Sequence, residues 1–355
     1  MSNRRVFTDA CIYCGSTQPR RSREHVIPKS LGTFENNWVL TCVCHECNQY
    51  FSRELELVLA RDSPEGYLRL QHGLRPPVAT ANLLNTRVRM KVTEEGPYKG
   101  ANVVLGASRT GEELEPLLVP QVGFRAPVER DLTWILEEDL TSEAVQGYSG
   151  PGVDIRLVGR GDGVLPRLVA RLQGIGINFT QQGTFEEPIT NARNSVEIET
   201  EFRLDAVNLR AVAKVAFNYA AKIISPEFMR QPDCEPVARF IRAGEVPTDG
   251  LPVSIGRTPV LVGDRDRQQT RGHICTVGWA NRDEQFSLVS LFNELTYRVT
   301  LKRRHSGIWR DLAYGHVIDP FDRSITRLMR LPGRQVPPCC APEPHKSPPS
   351  RSPPL

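Results

Sequence analysis

The sequence lacks long apolar runs. No stretch approaches the roughly 18 consecutive apolar residues that a membrane-spanning helix requires. The polar, basic segment Met1–Asp9 also lacks the apolar core of a secretory signal peptide. We therefore expect a cytoplasmic protein with no membrane partner. A hydrophobic content of 39% and a charged content of 24% are typical of a folded globular chain, and 355 residues are enough for two or three domains.

Cysteine is scarce outside the first fifty residues. A secreted, disulfide-stabilised protein would spread its cysteines along the chain, whereas clustering in a reducing compartment favours metal binding. Here five of the nine cysteines fall within 37 positions at the N-terminus, at 11, 14, 42, 44 and 47; the others are Cys234, Cys275, Cys339 and Cys340.

Acidic residues are scarce near the N-terminus. The formal net charge of the chain is only +4, so global electrostatics say little about a nucleic-acid partner. In the first thirty residues, however, only Asp9 and Glu24 are acidic, whereas six residues are basic. This local excess makes Arg21, Arg23 and Lys29 candidates for contact with nucleic-acid phosphates.

The pattern of residues predicts an α+β protein with three parts. We place an N-terminal domain at residues 1–80, with a helix from about Asn48 to Ala60 and a linker at Arg75–Pro77. Residues 81–335 form a larger mixed α+β domain. Residues 336–355 contain eight prolines and almost no large apolar side chains, so we expect a disordered tail.

Periodicity marks a few elements of the larger domain. Apolar residues alternate with polar ones in three stretches, which predicts half-buried strands. Asp205 is a credible helix N-cap, followed by apolar residues on one face. Shorter helices are predicted after Pro166 and over about Pro236–Arg242. The strand positions are Val88, Met90 and Val92; Val196, Ile198, Phe202 and Leu204; and Tyr297, Val299 and Leu301.

Two CxxC pairs, Cys11–Cys14 and Cys44–Cys47, are separated by 29 residues. Two intervening residues allow both sulfurs of a tight turn to reach one ion, and four thiolates complete a tetrahedral zinc shell at about 2.3 Å. A structural zinc would stabilise a segment too small for its own core. The alternative is two unrelated turns with free cysteines. Cys42 is interpreted as a spare small apolar residue.

The residues between and after these pairs suit phosphodiester hydrolysis. An imidazole such as His25 can remove a proton from water near neutral pH. A hard divalent cation held by oxygen ligands can neutralise the phosphate, and Glu24 and Asn48 supply such oxygens. Zinc knuckles would bring these three residues together on one small scaffold.

The same residues resemble a known family. Glu24-His25-x-x-Pro28, then Asn37-Trp38-Val39-Leu40, then a CxxC followed directly by Asn48, resembles the HNH endonucleases, particularly their four-cysteine zinc-bearing branch. The resemblance covers about residues 9 to 60. It implies a ββα-metal fold, in which a hairpin and a helix clasp one catalytic metal ion, magnesium or manganese.

The resemblance also implies roles for individual residues. His25 would be the general base, Glu24 and Asn48 would bind the catalytic metal ion, and Asn37 would brace the loop that carries His25. Alternatives remain open at each position. His25 could be a surface histidine in a turn, Asn48 a plain helix-capping residue, and Asn36 could take the bracing role instead of Asn37. We expect His45 to face solvent.

These features predict a metal-dependent endonuclease that cuts one DNA strand per active site, with RNA as an alternative substrate. A double-strand break would need a dimer or successive nicks. Residues 81–335 would select the target or dock a protein partner, in defence against foreign DNA or in mobile-element biology. The competing hypothesis is a non-catalytic zinc module that binds nucleic acid or protein.

The rest of the sequence gives weaker signals. The basic run at Lys302–Arg304, near Arg298 and Tyr297, could follow a phosphate backbone, but such a run is more often a solvated face. His273, His305 and His316 lack ligand spacing and are expected in strands or loops. The helix that carries Lys214 and Lys222 receives no functional assignment.

Overall fold

The structure is a computed structural model. It describes residues 10–17, 22–34, 38–74, 88–107, 114–159, 161–178, 197–256, 272–280, 284–303 and 314–328. The chain divides into two compact units, one formed by Met1–Val58 with Asp205–Leu355 and the other by Leu59–Leu204. This grouping differs from the predicted division near residue 80, because the N-terminal segment packs with the part of the chain after Leu204.

A short hairpin and a helix form the N-terminal part of the first unit. Strands β1 (Glu24–His25) and β2 (Val39–Leu40) pair antiparallel, with Glu24 opposite Leu40 and His25 opposite Val39. A 3₁₀ turn at Lys29–Leu31 lies between the strands. The helix α1 (His45–Tyr50) follows. This is the expected ββα order.

The helix after the second CxxC pair starts earlier and is less regular than predicted. It begins at His45 rather than Asn48, because the Cys44 sulfur acts as the N-cap and accepts a hydrogen bond from the Cys47 amide. Asn48 therefore lies inside the helix, and the alternative that it is a plain N-cap is wrong. A π-helical stretch at Phe51–Glu56 continues α1 and leads into α2 (Leu57–Arg61). Wide π turns of this kind are rare and often occur at functional sites.

The long helix α5 (Ala206–Ile223) is the centre of the first unit. As predicted, Asp205 caps it: its carboxylate accepts hydrogen bonds from the amides of Val207 and Asn208, and the Asn208 side chain accepts one from the Asp205 amide. A helix that is buried on most sides packs against neighbours in more than one direction. Accordingly, α5 contacts β2 and the π-helical stretch as well as strands of a large sheet.

That sheet is six-stranded and antiparallel, in the order β10-β13-β12-β11-β14-β15. Val212, Val215 and Phe217 of α5 are fully buried and contribute to the core of this unit. Two shorter helices, α6 (Pro226–Met229) and α7 (Glu235–Ala243), also pack on α5. The strands are β10 (Val253–Gly256), β11 (His273–Trp279), β12 (Glu284–Leu291), β13 (Leu295–Arg303), β14 (Tyr314–Ile318) and β15 (Ile325–Leu328).

The second unit contains two smaller antiparallel sheets, with strand orders β5-β4-β3-β9 and β7-β6-β8. Its helices are α3 (Pro64–Gln71) and α4 (Val164–Gly174). One apolar cluster gathers around Phe124, Leu168 and Leu172, and another around Met90 and Val103. The strands are β3 (Val88–Val92), β4 (Asn102–Ala107), β5 (Leu114–Leu118), β6 (Gln121–Arg125), β7 (Thr133–Leu136), β8 (Asp154–Val158) and β9 (Ile198–Phe202).

The α+β fold class predicted from the sequence is confirmed. The strands at 88–92 and around 297–301 and the helix near 236–242 are present, and α4 begins two residues before Pro166. The predicted linker at Arg75–Pro77, the strand residue Val196 and the tail at 336–355 lie outside the described residues.

Candidate active site

The four cysteines of the two CxxC pairs come together. Within the described residues, their sulfurs form the one group of three or more His, Cys, Asp or Glu ligand atoms that could hold a metal ion, and all four lie within 4.8 Å of one another. A tetrahedral zinc with ligands at about 2.3 Å requires sulfur separations of about 3.8 Å. The Cys14 and Cys44 sulfurs are 3.7 Å apart. The cluster therefore fits a structural zinc.

Hydrogen bonds shape this cluster as a pair of metal-binding knuckles. The Cys44 amide donates to the Cys11 sulfur and the Cys47 amide donates to the Cys44 sulfur, both at 3.4 Å. A hydrogen bond from the Cys47 side chain and several from backbone amides outweigh burial and lower the pKa of Cys11 to about 4. Cys11 thus favours the thiolate, which is the form that binds metal, whereas burial raises the pKa of Cys14 to about 11 and the hydrogen bond with Cys11 raises the pKa of Cys47. The cysteine part of the sequence prediction fits this geometry.

Asn48 joins the start of α1 to the strand that carries the candidate base. Its Nδ2 donates to the Ser22 hydroxyl at 3.0 Å and to the Arg23 carbonyl at 3.3 Å. Arg23 directly precedes Glu24 and His25, so Asn48 lies beside β1. The side-chain Oδ1 takes part in neither bond, which leaves an oxygen of the type that hard cations prefer.

Glu24 points into the protein. Its side chain is 1% exposed and forms an ion pair with Lys214 of α5, which is fully buried. The Asn218 side chain, one turn further along α5, donates to Glu24 Oε1 at 3.0 Å and to the His25 carbonyl at 3.1 Å. Both contacts to Glu24 use the same carboxylate oxygen, Oε1. No pattern in the sequence pointed to these partners, which lie about 190 residues away.

Lys214 also forms an ion pair with Glu56, in the π-helical stretch. Burial alone lowers the pKa of the Lys214 ammonium, but the two carboxylates outweigh burial and raise the pKa above its ordinary value. Burial raises the pKa of the Glu24 carboxyl, and Lys214 opposes that shift. One buried ammonium thus forms ion pairs with two carboxylates.

His25 is half-buried on β1. Burial lowers the pKa of its imidazole; Glu56 acts against this shift, and Lys214, Lys29 and Arg23 add to it. The ring is therefore neutral at neutral pH, as a base must be to accept a proton. Arg23 and Lys29 are exposed. The structure thus places two of the three predicted phosphate contacts where their charges act on His25.

Comparison with known proteins supports the resemblance. Residues 11–63 match the family model described as HNH endonuclease. The chain carries an HNH segment. The match includes both cysteine pairs, the hairpin and the helix, and it points to nuclease chemistry on nucleic acid in general. No curated protein and no solved structure matches the chain significantly.

Two predicted residues of the HNH segment, Asn37 and Arg21, lie outside the described residues, as does Asn36. Trp38, the next described residue, packs against the rings of Tyr219 and His316 at 5.8 and 5.1 Å between centroids. His45 is half-buried rather than fully solvent-facing.

The large sheet supports the HNH segment through residues that the sequence analysis left without a role. His273 lies on β11, fully buried; its Nε2 is 3.0 Å from the Leu31 carbonyl, and its Nδ1 accepts from the Phe292 amide. Since Nδ1 is the acceptor, Nε2 carries the proton, and the ring is a neutral donor to the loop after His25. His316 lies on β14, 2.9 Å from the Tyr219 hydroxyl. His305 is outside the described residues.

The basic run near residue 300 does not form a phosphate-binding face over its described part. Lys302 is 2% exposed, with its ammonium 3.0 Å from the Asp233 carboxylate. Arg298 forms an ion pair with Glu284 at 3.0 Å, and Tyr297 is fully buried. These cations neutralise nearby acids within the fold. Separately, none of the described helices is long and apolar enough to cross a membrane.

Proposed function

We propose that the protein is a metal-dependent endonuclease that hydrolyses a DNA phosphodiester, with one strand cut per active site. His25 is the general base, Glu24 and Asn48 hold a catalytic magnesium or manganese ion, and the four-cysteine cluster holds a structural zinc. Asn37 braces the loop that carries His25. The observation that carries this proposal is the hydrogen bond from Asn48 to the Arg23 carbonyl, which ties the helix to the strand bearing Glu24 and His25.

The oxygen donors of Glu24 and Asn48 fit a hard divalent cation in their chemistry. Asn48 is held through Nδ2, so Oδ1 is the atom left for a ligand role. Glu24 is held through Oε1, so Oε2 is left in the same way. Oxygen donors of this kind are what magnesium and manganese prefer. When bound, such an ion neutralises charge on the phosphate and polarises the attacked bond.

The remaining steps belong to the protein side chains. His25 accepts the proton of the attacking water at its ring nitrogen, because burial and nearby cations keep the imidazole neutral. Arg23 and Lys29 are exposed beside it and attract the phosphate backbone, and Arg21 is proposed to extend this patch. Residues 81–335 select the target or dock a partner, in a cytoplasmic setting such as defence against foreign DNA or mobile-element biology.

A plasmid-nicking assay with magnesium or manganese tests the catalytic role of His25. We expect His25→Ala to lower the nicking rate by about 10²- to 10⁴-fold, the usual contribution of a general base. The control is His45→Ala, which removes an imidazole from the same segment and is expected to retain nicking. Equal rates for the wild type and His25→Ala would contradict the assignment.

A second candidate function is a non-catalytic zinc module that binds nucleic acid. One observation favours it: the Glu24 carboxylate is 1% exposed and already paired with Lys214 within the fold, as a module without a catalytic metal ion would allow. This candidate predicts binding of oligonucleotides without cleavage in the presence of any divalent ion.

Digestion of matched labelled DNA and RNA with magnesium or manganese would identify the substrate of the nuclease. Cleavage confined to RNA would refute the DNA proposal.

A further inference from the structure

Two carboxylates and one ammonium meet around Glu24. Two carboxylates, Glu24 and Glu56, share the single ammonium of Lys214. Lys214 is 0% exposed, Glu24 1% and Glu56 21%. A buried charge is tolerated when it is paired, because water no longer screens it. With both carboxylates ionised, this group carries one negative charge more than the single ammonium neutralises.

The excess charge lies at a point where three separate parts of the chain meet. Glu24 comes from β1, Glu56 from the π-helical stretch after α1, and Lys214 from α5. Asn218 lies four residues after Lys214 and so on the same face of α5. It accepts a hydrogen bond from the Tyr13 hydroxyl at 2.7 Å while donating to Glu24. One helix face thus fixes both the first cysteine knuckle and the candidate metal ligand.

We infer that Lys214 is a positioning residue whose ammonium sets the charge of the Glu24–Glu56 pair and thereby limits the affinity of the nuclease site for its divalent cation. The inference rests on the proposed function, since it takes Glu24 as a metal ligand. It assigns to the C-terminal part of the chain a direct role in tuning the N-terminal site.

The physical basis is competition between two cations for the same negative charge. When both carboxylates are ionised, the pair presents a net charge of −1 to an incoming ion with Lys214 in place and −2 without it. Coulomb interactions at a few ångströms are strong in a poorly solvated site, so the difference acts directly on binding. The ammonium also holds Glu24 Oε1, which keeps the carboxylate in place before any ion arrives.

Manganese binding to the full-length, zinc-loaded protein tests this inference by isothermal titration calorimetry. Manganese is a suitable probe because it binds thiolate sites much more weakly than zinc does. We expect Lys214→Met to bind manganese more tightly, by on the order of tenfold or more. The matched control is Lys222→Met on the same helix, where the lysine is exposed and contacts only the Val39 carbonyl at 3.3 Å among its described contacts. It should bind manganese as the wild type does.

Two further variants distinguish an effect of charge on manganese affinity from an effect of misfolding. Lys214→Arg keeps the positive charge and should restore the wild-type affinity. Glu56→Gln removes the partly exposed carboxylate while Glu24 and Lys214 remain paired, and it should weaken manganese binding. The thermal unfolding of each variant, with and without manganese, gives an independent readout: the ion should raise the unfolding temperature of Lys214→Met more than that of the wild type.

The outcomes separate this inference from the proposed function. Wild-type protein that binds manganese with the same affinity as Lys214→Met, or more tightly, would overturn the inference and leave the nuclease assignment standing. Wild-type protein that binds no manganese, and whose nicking is unchanged by His25→Ala, would overturn both. A purely structural role for Lys214 predicts lower stability for Lys214→Met with unchanged manganese affinity, which is also a refutation.

Discussion

The protein contains two polar centres that are built in opposite ways. The four-cysteine cluster takes all its ligands from residues 11–47, in two pairs with CxxC spacing. The carboxylate centre around Glu24 takes its partners from α5, where Asn218 lies 194 positions after Glu24. The first is a local motif with a charge requirement that one bound cation would satisfy. The second is a site formed by tertiary packing, in which Lys214 of α5 pairs with both carboxylates.

This difference shows which kind of site can be predicted from a short motif and which kind depends on tertiary packing. Thiolates repel each other strongly enough that four of them at one point imply a cation, so spacing alone predicts the site. A glutamate in a strand carries no such implication. Whether it faces solvent, an ion or a lysine depends on what packs against the strand. In this protein a buried lysine packs there.

The largest expected effect is on the sulfur centre. Cys44→Ser removes a zinc ligand and the sulfur that caps α1, so we expect zinc content far below one equivalent, loss of the folded HNH segment and loss of nicking. Structural zinc sites contribute on the order of 10 kcal/mol to the folding of small modules. Metal analysis of the purified protein and its thermal unfolding measure the change.

The control for this prediction lies in the same loop. Cys42 is half-buried and outside the four-sulfur cluster, so Cys42→Ser should retain about one zinc. If Cys42→Ser lost zinc and Cys44→Ser kept it, the sulfur centre would not be the one described, and the contrast between the two centres would fail.

An intermediate effect is expected at the carboxylate centre. Asn218→Ala removes one hydrogen bond from each of three groups: the Tyr13 hydroxyl, Glu24 Oε1 and the His25 carbonyl. We expect the free energy of unfolding to fall by roughly 2 to 4 kcal/mol, with zinc still bound. Urea denaturation monitored together with zinc content measures both quantities.

Lys222→Ala, at an exposed position on the same helix, should change the free energy of unfolding by no more than about 0.5 kcal/mol. A loss of zinc in Asn218→Ala comparable with that in Cys44→Ser would show that the two centres form one cooperative unit. That result would replace the comparison with a single site anchored by α5.

The smallest effect is expected at His316, which supports the HNH segment through Trp38. Burial lowers the pKa of His316 below its ordinary value. Below about pH 6.5 the unfolded chain therefore binds a proton at this residue before the folded protein does. The contribution of His316 to the free energy of unfolding is therefore fully present above about pH 6.5 and is lost as the pH falls below that value.

His316→Gln should therefore reduce the decline in stability between pH 7 and pH 5. The comparison with wild type is needed because burial lowers the pKa of His25 in the same direction. Chemical denaturation at several pH values measures the slope. An identical pH dependence in the two proteins would show that His316 does not contribute.

The sequence by itself determined the sulfur centre and the cap of α5 at Asp205, and its resemblance to the HNH endonucleases implied the order hairpin then helix. The first two depend on neighbours in the chain: two residues between ligands, or a side chain that bonds an amide two or three residues later. The α+β class follows for the same reason, since period-two and period-3.6 patterns are local.

The tertiary structure alone decided which side chains surround Glu24 and His25. The helix α5 received no functional assignment from its sequence, and no partner was predicted for Lys214. Its burial requires two carboxylates delivered from β1 and the π-helical stretch, and no pattern within α5 records them. The free energy of a buried charge is set by its partners in space, and that is why the chemistry of this site emerges only in the folded chain.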